Sequence, residues 1–258
     1  RELAAGPTFA TEALGGGNDT INAGSGNDTV NAGDGNDPHT DAQRTRPGDH
    51  PIYDGGAGVD TLVHDLNWVS TVAFNLATGW ATLDGQNRDR ILNIENLTVG
   101  GSAQVIGSDA ANVLTVNGTG ANVISALGGA DTINLNAIGL TAASANLAAE
   151  SITQSTGVSF SGTTTLDGGP SGVITLNNSG NTFGAVVITN AGSVSLRDDG
   201  GMILGGSSVA ASLVVQSAAS ITQSGPLSGQ GGLVKQGAGT MTLSASNTFA
   251  GTAVVTGG

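Results

Sequence analysis

The sequence predicts an all-β fold, a parallel β-roll continuing into a β-helix (a β-solenoid), and three observations predict it. A glycine- and aspartate-rich motif recurs every nine residues near the N-terminus. Short Val, Ile, Leu and Ala runs alternate with Gly, Ser, Thr and Asn along the rest of the chain. Large core-fillers are scarce: 43 of 258 residues are glycine, aromatics make up 3% and charged residues 10%. Short apolar runs between turn-formers suit brief strands and tight bends better than long helices. A hydrophobic content of 38% is too high for a chain that stays disordered.

The first element is the repeat. Residues 14–22, 23–31 and 32–40 are three contiguous nonapeptides, with Asp19, Asp28 and Asp37 at matching places. A fourth copy, 55–63, carries Asp60 after a polar insert at 38–51, and a shortened copy, 127–134, carries Asp131. Each nonapeptide reads as half a turn of a parallel roll. Its glycines make the bend, where positive φ and close backbone approach are needed. The tripeptide after the aspartate is a short strand with its aliphatic residue, Ile21 or Val30, pointing inward. Two nonapeptides complete a turn, so residues 18 apart stack on one edge, roughly 4.8 Å apart. Asp19 and Asp37 therefore share an edge, and Asp28 lies on the opposite one. Such bends offer oxygen only: the carboxylates of Asp19, Asp28, Asp37, Asp60 and Asp131, with the backbone carbonyls of Gly15, Gly17, Gly24, Gly26, Gly33, Gly35, Gly56 and Gly58. Ca²⁺, a hard cation taking six to eight oxygens, fits that donor set. Without cysteine, bound metal is the available staple for a secreted chain.

These nonapeptides resemble the RTX (hemolysin-type) calcium-binding repeat. The likeness extends through Asp60-Thr61-Leu62, residues 72–79 and 89–97, and weaker copies at 107–114 and 121–124, covering about residues 14–135. It implies a secreted bacterial protein whose roll folds on Ca²⁺ after export. The sequence also departs from the pattern. Pro38-His39 replaces a polar-plus-aliphatic pair, so the third strand is expected to break. Asp109 lacks a preceding glycine pair, and Asn112 and Asn122 stand near where an aspartate is expected, so calcium sites fade beyond residue 60. The insert 38–51, with His39, Arg44, Arg46, Asp49 and His50, reads as a solvated loop kept out of the ladder by its prolines.

The later elements follow a longer pattern. Ser151-Ile152-Thr153-Gln154-Ser155 returns 69 residues on as Ser220-Ile221-Thr222-Gln223-Ser224, and Asn181-Thr182-Phe183 returns 66 on as Asn247-Thr248-Phe249. That period would hold about three β-helix turns of 22 or 23 residues. Strands are expected at 173–176, 186–188, 194–196 and 213–215. Residues 232–252 resemble the passenger-associated repeat of autotransporters, which implies right-handed β-helix in a surface-displayed passenger. The wider region resembles filamentous-hemagglutinin-like adhesins. The expected organisation is a leader at 1–13, a calcium-binding roll at 14–65, a degenerate roll-linked solenoid at 66–135 and a β-helix at 136–258. The chain opens on Arg1 and closes on an apolar run, so both ends read as cuts through a longer protein.

Charge and composition narrow the function. A net charge of −13 with seven Lys and Arg, and few aromatics, argues against nucleic acid. No apolar run approaches the roughly 20 residues of a membrane-spanning helix. Catalysis on a β-helix needs clustered carboxylates or carboxylate with a base. After residue 100 the one charged cluster is Arg197-Asp198-Asp199, which reads as a turn, and all three histidines precede residue 65. No nucleophile-elbow motif is visible. The Thr-x-Thr rows of an ice-binding face do not recur at a fixed interval. The reading is therefore a non-enzymatic, calcium-stabilised structural segment of a large secreted surface protein: an adhesin, an extracellular fibre or a surface-layer-like protein. Its expected partners are other copies of itself or host and cell-surface glycans. The alternative is a β-helix that binds or cleaves extracellular polysaccharide. The two resemblances imply different export routes, type I for the roll and autotransporter for the C-terminal repeat.

Overall fold

The structure is a computed structural model that describes all residues except 1, 5–10, 23–28, 42–49, 66–71, 84–85, 101–102, 118–122, 137–139, 143 and 258. Two compact units emerge: Arg1–Gly118 with Ala126–Gly129, and Thr119–Ser125 with Ala130–Gly258. Among the described residues every regular element is a β-strand, and strand pairing is parallel apart from one insert in the first unit. The all-β solenoid is thus the observed fold.

The first unit is a two-faced roll. On one face Thr20–Asn22, Pro38–Asp41, Thr61–Asp65, Asn96–Gly100 and Val113–Val116 stack in order. Their inward column runs Ile21, His39, Leu62, Leu97, Leu114, all buried. On the other face Val30, Tyr53 and Ile91 align from Thr29–Asn31, Ile52–Asp54 and Gln86–Leu92. Each fully buried aliphatic or aromatic side chain contributes about 1.5–3 kcal/mol, so two continuous, mostly aliphatic columns make a core with few aromatic side chains.

The third strand does not break at Pro38-His39, contrary to the sequence expectation. Proline is tolerated as the first residue of a strand, where its missing N–H interrupts no ladder bond. The Thr61 amide instead donates to the Asp37 carbonyl at 3.2 Å. His39 fills the aliphatic slot and meets Tyr53 edge-on, with centroids 6.2 Å apart. The insert is accordingly shorter than 38–51: Pro38–Asp41 is strand, Pro51 is buried, His50 is exposed, and Arg44, Arg46 and Asp49 lie outside the described residues.

A second departure is the antiparallel insert between Leu62 and Leu97. Val72–Asn75 and Trp80–Leu83 form a hairpin, with Asn75 facing Trp80, and Gln86–Leu92 pairs with the second strand. Val72–Asn75 also pairs in parallel with Ala103–Ile106. Gly79 closes the turn at φ 71° while its amide donates to the Asn75 carbonyl.

The second unit coils with three faces per turn. One column runs Ile133, Ile152, Ile174, Val194, Leu213, Leu233. A second runs Leu147, Leu166, Ile188, Ser207, Leu227, and a third holds Phe160 with Phe183 and Met202 with Ile221 and Met241. The long strands Val158–Leu176, Thr182–Asp198 and Met202–Ser217 carry register shifts between their faces, as bulged strands do where they bend. Turns along the first column are 19 to 22 residues long; the one from Ile152 to Ile174 has the expected 22, and the others are shorter. Three turns from Ile152 end at Leu213, so Ile221 lies eight residues further, on the next face.

The repeated motif has a local meaning instead. Gln154 and Asn181 exchange hydrogen bonds at 2.7 and 2.9 Å, and the Val158 amide donates to the same Asn181 Oδ1 at 3.0 Å. Gln223 and Asn247 form the same clip, with the Leu227 amide donating to Asn247 Oδ1 at 2.8 Å. The motif encodes a corner clip and can serve different corners.

Candidate metal centre

The bends of the first unit stack as the repeat predicts. Gly16 aligns with Asp34 and Asp34 with Ala57. Inter-turn bonds run from the Asp34 amide to the Gly15 carbonyl (3.1 Å) and from the Ala57 amide to the Gly33 carbonyl (2.9 Å). Gly15, Gly17, Gly33, Gly35, Gly56 and Gly58 all have positive φ. Close approach adds to the need for glycine: a Cβ at Gly33 would lie 1.9 Å from the Gly15 carbonyl oxygen, and one at Gly58 would lie 1.6 Å from that of Gly35. A carbonyl has two lone pairs, so Gly15 and Gly33 can accept an inter-turn bond and still face a cation.

Beside the glycines runs a column of carboxylates. The Asp19 amide donates to Asp37 Oδ1 at 2.7 Å, the Asp37 amide to Asp60 Oδ1 at 2.7 Å, and the Asp60 amide to Glu95 Oε2 at 2.9 Å. Asp19, Asp37 and Asp60 are buried. An outer column runs the other way: Asn36 donates its amide to Asn18 Oδ1, and Val59 donates to Asn36 Oδ1, each at 3.0 Å. The bends are thus zipped by side chains on both flanks.

The second oxygens of Asp37 and Asp60 are the unusual feature. Both Oδ2 atoms are buried and accept no hydrogen bond from the protein. A buried unsatisfied acceptor costs about 1–3 kcal/mol, more when charged. Burial pushes the Asp60 carboxyl above the ordinary carboxylate range; the bond from the Asp37 amide pulls it back, and the carboxylates of Asp37, Glu95 and Asp54 push it further up. Among the described residues no three His, Cys, Asp or Glu side chains gather as a metal cluster. A cation here would draw most of its ligands from bend carbonyls, which matches oxygen-rich Ca²⁺ coordination. The residues present fit that ion: at Asp37 and Asp60 one carboxylate oxygen is fixed by an amide, and the other is buried without a hydrogen bond.

The predicted site residues divide as follows. Asp19, Asp37 and Asp60 share one edge with Gly15, Gly17, Gly33, Gly35, Gly56 and Gly58. Asp28, Gly24 and Gly26 lie outside the described residues. Asp131 belongs to the second unit, where its amide donates to Glu150 Oε2 at 3.0 Å. In its bend Leu127 holds the place of Gly15 at φ 69°, a conformation that disfavours a side chain. Asn112 is buried, accepts the Ser108 amide and donates to the Glu95 carbonyl, so a neutral amide holds that bend closed.

Sequence reasoning missed Glu95 and Asp54. Glu95 continues the column 35 residues after Asp60, and Asp54 Oδ1 accepts from Asn93 Nδ2 at 2.7 Å and from the Gly56 amide at 3.2 Å. The signal for Glu95 was its tripeptide: Glu95-Asn96-Leu97 repeats the acid-polar-aliphatic order of Asp60-Thr61-Leu62. In the second unit the Arg197-Asp198-Asp199 cluster is a corner. Asp198 is buried, its two oxygens accept the Phe183 and Gly200 amides, each at 2.6 Å, and burial raises its pKa.

Comparison with known families agrees with this geometry. Residues 14–37 match the model of the RTX calcium-binding nonapeptide repeat, residues 233–258 that of the passenger-associated-transport-repeat, and residues 120–190 one described as repeats of unknown function. No curated protein matches the chain. The stacked bends at Asp19 and Asp37 therefore lie in a calcium-binding repeat, and the two named repeats mark the chain as a secreted or surface-exposed repeat protein.

Proposed function

We propose that the chain is a calcium-stabilised, non-catalytic structural segment of a large secreted bacterial surface protein, of the adhesin, fibre or surface-layer kind, and that its roll folds on Ca²⁺ after export. The observation that carries this reading is the stack of buried Asp37 and Asp60 carboxylates with partnerless Oδ2 atoms beside glycine bends. Asp19, Asp37 and Asp60, with the bend carbonyls, would hold the ion. Calcium would supply the positive charge that the buried Asp37 and Asp60 Oδ2 atoms do not find among the described residues. Without it, stacked carboxylates repel and glycine-rich bends lose much backbone entropy on folding, so the roll is unfavourable. Where Ca²⁺ is plentiful, metal binding is folding free energy. The second unit has aliphatic columns and Gln–Asn clips and needs no metal for its core.

Chelation tests the proposal. Limited proteolysis with and without chelator, read by mass spectrometry, should expose cleavage within residues 14–65 and leave 145–256 protected, with circular dichroism losing part of its strand signal. Identical cleavage maps and spectra would sink calcium-coupled folding.

A further inference from the structure

We infer that the hollow over Trp80, on the outer surface of the antiparallel insert, is a binding site for a neutral, hydroxyl-rich saccharide. The inference goes beyond the scaffold role, because calcium-coupled folding of the bends does not call for it. It rests first on register. Trp80 lies opposite Asn75, and Asn75 opposite Ile106; Thr82 lies opposite Ala73, and Ala73 opposite Gln104. The residues between them, Phe74, Ala81 and Val105, are buried in the core. Strand alternation therefore turns these two rows outward together. They line a hollow of about 540 Å³, within the about 300–1,000 Å³ of small-molecule clefts. The small side chain of Ala73, central in its row, leaves the depth.

The lining chemistry selects the ligand. Trp80 is half-buried, and the Arg90 guanidinium stands 4.4 Å from its ring centroid, which fixes the indole as a preorganised platform. Asn75 Oδ1 accepts the Thr78 amide at 2.9 Å, which orients the carboxamide and leaves its Nδ2 as a donor. Gln104, exposed on the far strand, offers a second carboxamide. A pyranose presents an apolar C–H face and a rim of hydroxyls that both donate and accept. An aromatic platform flanked by carboxamides matches both parts, with one apolar surface and a few placed polar groups. Among the described residues no carboxylate lines the hollow, and a net charge of −13 disfavours acidic sugars and phosphates.

The test titrates the intact 258-residue chain, in calcium, with cellopentaose, maltopentaose and chitotetraose, and with trigalacturonate as the acidic comparator, by calorimetry and tryptophan fluorescence. At least one neutral oligosaccharide should bind and perturb the fluorescence. Trp80→Ala should weaken it about tenfold or more by removing the stacking surface. Gln104→Ala, at an exposed position, should weaken it about threefold by removing one hydrogen bond, with an unchanged melting curve. Should Trp80→Ala fail to fold, Trp80→Phe and Gln104→Ala decide the matter, since Phe keeps part of the platform. Failure of all three neutral probes at millimolar concentration overturns the site. So does affinity untouched by the substitutions, or preference for trigalacturonate.

Discussion

His39 occupies a slot that its column neighbours, Ile21 and Leu62, fill with aliphatic carbon. Neither ring nitrogen has a hydrogen-bond partner, and burial drives the pKa down to about 4 despite the opposing pull of Asp37 and Asp54. The folded state therefore holds a neutral imidazole whose polar atoms are stranded. Replacing both the ring and its unmet needs by an apolar group of similar volume is favourable on this accounting. His39→Leu is expected to stabilise the roll by about 1–3 kcal/mol, read as a higher melting temperature in calcium. The sign with pH follows from the lowered pKa. In the wild type the stability owed to a neutral ring is complete above the unfolded value of 6.5 and is lost as pH falls towards about 4. His39→Leu removes that loss, so the gain should widen on the acid side. An equal or lower melting temperature, or a gain independent of pH, would show that the imidazole finds a partner in solution. The residue was legible as an anomaly in the repeat; its burial was not, because periodicity places a side chain inward without saying whether a histidine will tolerate it.

At the level of elements, nine-residue periodicity made the bends and the Asp19–Asp37 stack readable, since 18 residues is one turn. It failed where turns change length. Asp37 to Asp60 is 23 residues and Asp60 to Glu95 is 35, because extra residues in the first interval and an antiparallel hairpin in the second are inserted without disturbing the column. A ladder fixes which residues pair and leaves the length of what lies between them open, so period counting cannot follow it. The same reason undid the 69-residue period of the second unit, whose copies share a corner clip but not a face. What the bends demand is a separate matter, and two glycines in equivalent places distinguish the demands. Gly15 has φ 126° with no described atom within 4 Å of where a Cβ would sit, whereas at Gly33, φ 96°, a Cβ would strike the Gly15 carbonyl. Gly15→Ala should lose only the conformational term, about 1–2 kcal/mol. Gly33→Ala should lose more than that and weaken calcium binding, because the two bends must separate. Calcium-dependent melting of the two variants checks this, and equal losses would mean that backbone conformation alone requires glycine there.

For the molecule as a whole, two units with different sources of stability should answer differently to solvent. The first unit buries carboxylates that want a cation; the second is held by stacked aliphatic columns. Asp60 makes the difference depend on pH. Its folded pKa is raised, so the metal-free roll binds the proton more tightly than the unfolded chain does. That contribution is fully present below the unfolded value and is lost as pH rises through the folded one. Calcium acts on the same group in the opposite sense, since it needs the ionised carboxylate and competes with the proton for it. The calcium-induced rise in melting temperature of the roll should therefore be small at pH 5 and grow towards pH 7.5, while the transition of the second unit, which has a pH dependence of its own through Asp198, should not respond to calcium at either pH. Melting curves at the two pH values, with calcium and with chelator, separate these outcomes. Asp60→Asn sharpens the comparison, because it keeps an acceptor for the Asp37 amide and removes the titrating charge. It should raise metal-free stability near neutral pH and reduce the calcium response. A calcium shift that is the same at both pH values and survives Asp60→Asn would place the ion elsewhere on the roll.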